Sequence, residues 1–196
     1  INAFGISGAN AYRTLIKRAD GYIAEEFFRT SWTPSPDNDR VTLYVVNMDH
    51  IQDISADPLL ADVPGGRNWP YLENIAAQLH TRFETVALAY AITGDTKYAD
   101  RAIGWALDLC EWEYWTETKY VWPSSLNTTM DTPRLVMGMS KIYDMCYDRM
   151  TQEQRDIVAQ NILYKGLKPL YRELNGTHRL DPDNKYMTRA AACILG

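Results

Sequence analysis

A short segment near the end of the chain combines residue types that can bind an anion and move a proton. His178, Arg179, Asn184 and Tyr186 lie within one connection and the first turn of the helix predicted to follow it. Arginine and asparagine can neutralise a carboxylate, and histidine and tyrosine can accept a proton. We therefore assign His178, Asn184 and Tyr186 as candidate catalytic residues and Arg179 as a substrate-binding residue. Taken singly, Asn184 is equally suited to cap a helix, and His178 to lie on the surface.

A second segment, residues 112–127, is dense in aromatic side chains. Its rings are Trp112, Tyr114, Trp115, Tyr120 and Trp122. Because an aromatic ring gains its free energy by being buried or stacked, these rings must pack on something. One alternative is a platform for sugar rings, with Trp115, Tyr120, Trp122 and Asn127 as substrate-binding residues. The other is a loop folded back over the helical core, which accounts best for Trp112 and Tyr114.

Charge and composition exclude several classes of partner. The net charge of −5 argues against nucleic acid as the main partner, and no apolar run is long enough to cross a bilayer. Residues 165–196 nevertheless carry six basic side chains against three acidic ones, which suits either an anionic ligand or a solvated helix face. No histidines and carboxylates recur at ligand spacing and no glycine-rich phosphate loop is present, so we expect neither a metal nor a cofactor.

Helices must position these segments. Apolar residues recur at helical spacing over residues 12–27, 72–90, 98–109, 135–146, 159–170 and 187–194. The chain is thus predicted to be all-α, built from antiparallel helical hairpins. Its long connections, 31–71, 113–130 and 173–183, alternate with short ones. Since alternate connections of antiparallel helices lie at opposite ends, we expect all three long loops at one end, with the aromatic loop facing the His178 loop.

Turn and capping residues mark where the helices begin and end. Gly94 and Asp95 predict a tight corner, because glycine tolerates the left-handed conformation and Asp95 can cap the next helix. Thr151 and Gln154 fit a capping box. Residues 41–46 are rich in strand formers and predict a short β-strand within the first long connection.

Polar and sulfur-bearing residues also fall on or beside the predicted apolar faces. Cys110, Cys146 and Cys193 lie on these faces, which is typical of buried thiols that act as small hydrophobes. His80 and Arg82 lie beside an apolar face, where we expect them to hydrogen-bond to a neighbouring helix. At 196 residues, of which 46% are hydrophobic, the chain is predicted to form one domain, residues 1–196.

Two stretches carry a resemblance to a known family. Residues 81–99, with Thr93, Gly94 and Asp95 near their end, resemble the helix–Thr-Gly-Asp–helix unit of α/α-toroid carbohydrate enzymes. Residues 131–155 are similar to the next helix pair of heparinase II/III-like and alginate-lyase-like polysaccharide lyases. The resemblance covers the chain from about residue 72 onward and implies an incomplete α/α toroid, the first part of a longer lyase. We expect an unfinished apolar face near 190–194 to favour self-association.

The resemblance also implies an activity. Asn184 would face the carboxylate of a uronate. We count Arg134 among the substrate-binding residues; it follows Asp131 at the start of the matching helix. The family motif continues with a second asparagine and a tryptophan or histidine, where this chain has Lys185 and Tyr186. The implied reaction is β-elimination on an acidic polysaccharide, in a periplasmic or extracellular setting, without a cofactor.

Two other functions remain open from the sequence. A glycoside hydrolase on the same scaffold would need two carboxylates flanking a bond. The candidates for that pair are Glu117, Asp131, Asp181 and Asp183. A non-catalytic glycan-binding module would be favoured if the aromatic rings were buried. Fold analogy cannot decide among these functions.

Overall fold

The described part of the protein is mainly α-helical. The computed structural model describes residues 3–32, 42–51, 71–116, 121–122, 125–126, 128 and 130–175. In chain order its elements are α1 (Ala3–Ile23), β1 (Phe27–Trp32), β2 (Thr42–Asn47), α2 (Tyr71–Thr93), α3 (Thr96–Glu111), β3 (Val121–Trp122), β4 (Ser125–Leu126), α4 (Asp131–Met145), a 3₁₀ turn (Tyr147–Arg149), α5 (Gln152–Asn161), a π-helical turn (Ile162–Leu167) and α6 (Lys168–Asn175). No helix among the described residues is long and apolar enough to cross a membrane.

Helices α2, α3 and α4 form the centre of the fold. The predicted corner between α2 and α3 is confirmed: Gly94 has φ +68°, and the Asp95 side chain accepts a hydrogen bond from the Lys97 amide. The corner makes α2 and α3 antiparallel, and the rings of Phe83 and Trp105 stack between them with centroids 5.9 Å apart. Both rings are fully buried. Burial of this kind supplies most of the free energy that stabilises such a core.

Helix α1 ends earlier than its apolar pattern predicts. The pattern extended to Phe27, but the helix ends at Ile23, and Phe27 begins β1 with 53% of its surface exposed. Phe28, the next residue, is buried, which is the alternation of a strand. β1 pairs antiparallel with β2, in register from Phe27 opposite Asn47 to Trp32 opposite Thr42. The strand predicted over 41–46 is confirmed as β2, whereas its partner was not predicted.

Buried Arg82 ties this first hairpin to α2. Its guanidinium donates two hydrogen bonds to the Glu25 carboxylate, at 2.8 and 3.0 Å, and lies over the rings of Tyr22 and Phe28. Arg82 thus bonds to the segment that follows α1, and to Gln78 on its own helix. The hydrogen bonds that were expected to join Arg82 to a neighbouring helix are made instead to Glu25, in the segment between α1 and β1, and they fix that segment against α2. His80, for which the same was expected, contacts Glu84 on its own helix.

The last described helical run is interrupted by the π-helical turn. Its start is as predicted, since Thr151 and Gln154 form a complete capping box. The π turn was not predicted. Its Gly166 is buried, and a Cβ there would overlap Cγ2 of Val136 on α4. Only glycine allows the run to approach α4 so closely.

The cysteines of the described helices are buried as expected. Cys110 and Cys146 are free thiols, and burial raises the pKa of each to about 12. Cys193 and the helix predicted over 187–194 lie outside the described residues.

Candidate functional site

Two of the long connections meet at the C-terminal end of α3. The Ile51 amide, which belongs to the first connection, donates to Asp108 Oδ2 at 3.0 Å. The Trp112 indole, where the second connection begins, donates to the Ile51 carbonyl. We call this part of the molecule the loop end. The third long connection begins after Asn175, outside the described residues, so the expected clustering of all three loops stays a prediction.

Trp115 is a core residue at the loop end. Its ring is fully buried, and its indole N–H donates to the Leu109 carbonyl at 3.0 Å. The Thr132 hydroxyl, in the first turn of α4, donates to the Trp115 carbonyl at 2.7 Å. A ring with no exposed face cannot stack on a sugar. The assignment of Trp115 as a substrate-binding residue is therefore wrong. The burial of Trp112 and Trp115 supports the alternative, in which this segment folds against the core.

Lys165 holds the end of α3 from the π turn. Its ammonium donates to the carbonyl oxygens of Cys110 and Trp112, each at 2.6 Å. A cation at the C-terminus of a helix is stabilised by the helix dipole and satisfies carbonyls that have no partner within the helix. Burial lowers the pKa of Lys165. The sequence showed Lys165 only as part of a basic stretch, because nothing local indicates that its partners lie on α3.

Arg134 is the predicted site residue whose side chain is best placed at the loop end. It lies in the first turn of α4, and its Nη1 donates to the Glu73 carbonyl at 3.0 Å and lies 3.3 Å from the Glu73 carboxylate. Since Glu73 lies in the first turn of α2, the two helices begin at the same end. The Arg134 side chain keeps 20% of its surface exposed. It can therefore support the packing of α2 on α4 and still present part of its charge to a ligand.

Charged residues continue from Arg134 along the contact between α2 and α4. We call Glu73, His80, Glu84, Arg134 and Lys141 the polar seam. His80 Nε2 lies 3.7 Å from the Glu84 carboxylate. Burial lowers the pKa of His80, Glu84 opposes this effect, and the positive charges of Arg134 and Lys141 lower the pKa further. His80 is therefore held neutral at neutral pH, and a neutral imidazole can accept a proton.

The polar seam was not predicted as a site. The sequence contains a signal for it, because Glu73, His80 and Glu84 are separated by seven and four residues, and Arg134 and Lys141 by seven. Such spacings place residues on one helix face. The pairing of the two faces, however, depends on how α2 packs on α4. Gly138 permits that packing, since a Cβ there would lie 3.3 Å from the backbone of His80.

Most other predicted site residues lie outside the described part of the chain. They are Tyr120, Asn127, His178, Arg179, Asn184 and Tyr186. Trp122 belongs to β3, where it pairs with Ser125 of β4. Among the residues that the structure describes, no group of three or more histidines, cysteines and carboxylates could hold a metal ion.

A scan against models of protein families found no family that matches this chain, and a search of curated proteins found no match either. Its function must therefore be inferred from its residues and their geometry.

Proposed function

We propose that this chain is the first part of an α/α-toroid polysaccharide lyase and that its loop end binds a uronate-containing polysaccharide. The observation that carries the proposal is the position of Arg134. Its guanidinium lies at the start of α4 and keeps 20% of its side-chain surface exposed, so part of its charge is available to a ligand. A cation that meets the uronate carboxylate stabilises the negative charge that β-elimination develops there.

The reaction removes the proton at C5 of the uronate and breaks the bond from C4 to the glycosidic oxygen. The electron pair left at C5 forms the new C4–C5 double bond, and the departing oxygen takes up a proton. Negative charge that develops at C5 spreads into the carboxylate, so a cation or a hydrogen-bond donor at that carboxylate lowers the barrier. In this proposal Arg134 interacts with the carboxylates of the bound polymer.

The catalytic roles carried by the family resemblance remain part of the proposal. Asn184 would donate to the carboxylate of the reacting uronate, and His178 or Tyr186 would accept the C5 proton. Arg179 would add a second positive charge. The support for placing them at the loop end is that α6, which ends at Asn175, follows the π turn bound to the end of α3.

One observation favours a second candidate, a helical glycan-binding module without catalysis. Trp112 and Trp115 are buried, so these rings of the aromatic loop serve the fold. The hydrolase alternative has less support. Asp131, one of its candidate carboxylates, is fully buried and accepts a hydrogen bond from the Thr132 amide at 2.8 Å. A carboxylate with no exposed surface cannot flank a bond of a polymer.

Product analysis combined with binding tests the proposal. The full chain is incubated with a polyuronate, and the ultraviolet absorbance of the conjugated double bond is followed, since only elimination creates it. Binding is measured by titration calorimetry for the wild type, Arg134→Ala and Arg149→Ala. Arg149 is the matched control, because it is an exposed arginine in the 3₁₀ turn that pairs with Asp100 at 3.0 Å.

We expect Arg134→Ala to weaken polyuronate binding at least tenfold and Arg149→Ala to leave it unchanged. Binding without any new absorbance would favour the glycan-binding module over the lyase. A wild-type chain that binds no polyuronate, or equal binding by both variants and the wild type, would refute the proposed role of the loop end. Thermal melts of all three proteins separate loss of binding from loss of fold.

A further inference from the structure

Helix α1 has a stretch that is exposed on every side. Residues 8–14 are seven consecutive helical positions, and each of them is exposed; we call these residues the arm. Tyr12 lies in the arm, seven residues before Ala19 and therefore on the same helix face. Ala19 is fully buried, whereas Tyr12 is 48% exposed. The face of α1 that packs on the protein thus continues past the residues that cover it.

The sequence of the arm does not account for its helical structure. Gly8 and Asn10 have low helix propensity, and the arm contains no pair of opposite charges four residues apart. In proteins most of the stability of a helix comes from packing of one face, and the described residues leave the arm unpacked. A partner that covers the arm would supply this packing.

The arm points to the end of the molecule opposite the loop end. Since α2 and α4 both begin at the loop end, both finish at the opposite end, which holds the Gly94 corner and the 3₁₀ turn; we call it the corner end. The Tyr22 ring lies at Arg82, in the middle of α2, whereas Asp20 pairs with Lys97, just after the corner. α1 therefore approaches the corner end as residue numbers fall, and the arm continues in that direction.

The arm and the turn that follows it carry only positive charge. Arg13, Lys17 and Arg18 are exposed, and the sequence has no acidic residue before Asp20. Within the described part of the chain, none of these three cations forms an ion pair. The Arg13 guanidinium donates to the Ala9 carbonyl of its own helix, at 3.3 Å. Unpaired cations beside an uncovered helix face suit a partner that carries carboxylates.

The corner end offers a complementary surface. Asp144 and Glu153 are exposed at the end of α4 and the start of α5, and neither forms an ion pair with a described residue. The last turn of α4 holds no basic residue, so the Asp144 carboxylate adds to the negative end of the helix dipole. Ile92, in the last turn of α2, is 52% exposed and adds apolar surface. The basic side chains nearby already have partners: Lys97 pairs with Asp20, Arg149 pairs with Asp100, and Arg155 donates to the Tyr147 carbonyl.

We propose that the arm docks on the corner end of a second copy of this chain and that the two copies exchange arms. The arm and the surface that accepts it lie at the same end of one molecule, so a two-fold axis at that end places each arm on the other copy. The cations of the arm then face the Asp144 and Glu153 carboxylates of the other copy, and Tyr12 packs near its Ile92. This dimer does not depend on the proposed lyase activity.

Other occupants fit less well. An anionic polymer would meet the cations of the arm but would be repelled by the carboxylates at the same end of the molecule. A basic protein would suit the corner end but would be repelled by the arm. A second copy of the chain brings opposite charges together at both surfaces at once.

Charge reversal on each surface tests the exchange of arms. Light scattering and sedimentation measure the oligomeric state of the full chain as wild type, as the arm variant Arg13→Glu/Lys17→Glu and as the corner variant Asp144→Lys/Glu153→Lys. The matched control is Lys168→Glu/Arg172→Glu, because it also reverses two exposed cations four residues apart, on α6. Thermal melts show whether each variant is folded.

We expect the wild type to dimerise, the arm and corner variants to raise the dissociation constant at least tenfold, and the control to leave it unchanged. Added salt should weaken the wild-type dimer. When the arm variant and the corner variant are mixed, they should form a mixed dimer, since each arm then meets a surface of opposite charge. Neither variant can satisfy that condition by itself.

Several results would overturn the proposal. They are a wild type that stays monomeric, a dimer that the arm variant leaves intact, and a dimer that the control variant weakens equally. Failure of the arm and corner variants to form a mixed dimer would also overturn it, even if each had lost its own dimer. A monomeric wild type whose affinity for polygalacturonate falls in the arm variant would identify an anionic polymer, in place of a second copy, as the partner of the arm.

Discussion

Replacement of Gly166 by alanine should destabilise the fold through one steric contact. An added Cβ would overlap Cγ2 of Val136 and lie 3.5 Å from the Trp115 ring. Val136 cannot turn aside easily, because a β-branched side chain in a helix has one strongly preferred rotamer. Extra atoms in a well-packed core cost about 1–3 kcal/mol. Gly104→Ala on α3 is the control, since a Cβ there meets nothing within 4 Å.

The comparison of the two variants isolates the packing cost. Both gain the helix propensity of alanine over glycine, about 0.5–1 kcal/mol. Their free energies of unfolding should therefore differ by the overpacking cost. For a chain of this size each kcal/mol shifts the melting temperature by about 2–4 °C. Urea denaturation and thermal melts measure the difference. Gly138→Ala, whose Cβ would lie 3.1 Å from the Phe83 ring, should fall between the two.

A double-mutant cycle identifies the partner of the clash. Val136→Ala alone removes two methyl groups from the core, which costs about 1.6 kcal/mol or more. Gly166→Ala in that background has room for its Cβ, so the double variant should be more stable than the sum of the single effects predicts. Additive effects, or a Gly166→Ala protein as stable as Gly104→Ala, would show that the π turn does not pack against α4 as the structure has it.

Three further predictions follow from the contacts of single side chains. Arg82→Lys should lower the free energy of unfolding by about 1–3 kcal/mol, because lysine cannot form the bidentate pair with the part-exposed Glu25 carboxylate. Urea denaturation measures this loss, and an unchanged free energy of unfolding would contradict the prediction. Because the folded pKa of His80 lies below its ordinary 6.5, the unfolded state takes up a proton first as the pH falls. The free energy of unfolding should therefore fall as the pH drops below about 6.5. His80→Gln should flatten this dependence in pH-resolved melts, and an unchanged dependence would refute the prediction. Thr151→Ala should lower the free energy of unfolding by about 1 kcal/mol, because it removes the capping box, whereas Thr151→Ser should lower it much less. Equal melting temperatures for the two variants would refute the role of Thr151 as a cap.

Features encoded by neighbouring residues could be predicted from the sequence. The turn at Gly94, the cap at Asp95 and the capping box at Thr151 each depend on residues at most three positions apart. Apolar spacing likewise predicted the positions of helices α2, α3 and α4, and strand formers predicted β2. The same local pattern failed at Phe27, because a strand that pairs with β2 is stabilised by residues far along the chain.

The candidate site required contacts that only the folded chain supplies. Lys165 caps α3 through the carbonyl of Cys110, 55 positions away, and Arg134 bonds to Glu73, 61 positions away. Trp115 became a core residue because the first turn of α4 and the end of α3 hold its backbone and indole. The roles of His178, Asn184 and Tyr186 stay predictions. Sequence periodicity thus determined which faces of this protein are apolar, whereas packing between distant segments decided which polar and aromatic side chains meet, because burial and ion pairing depend on proximity in space.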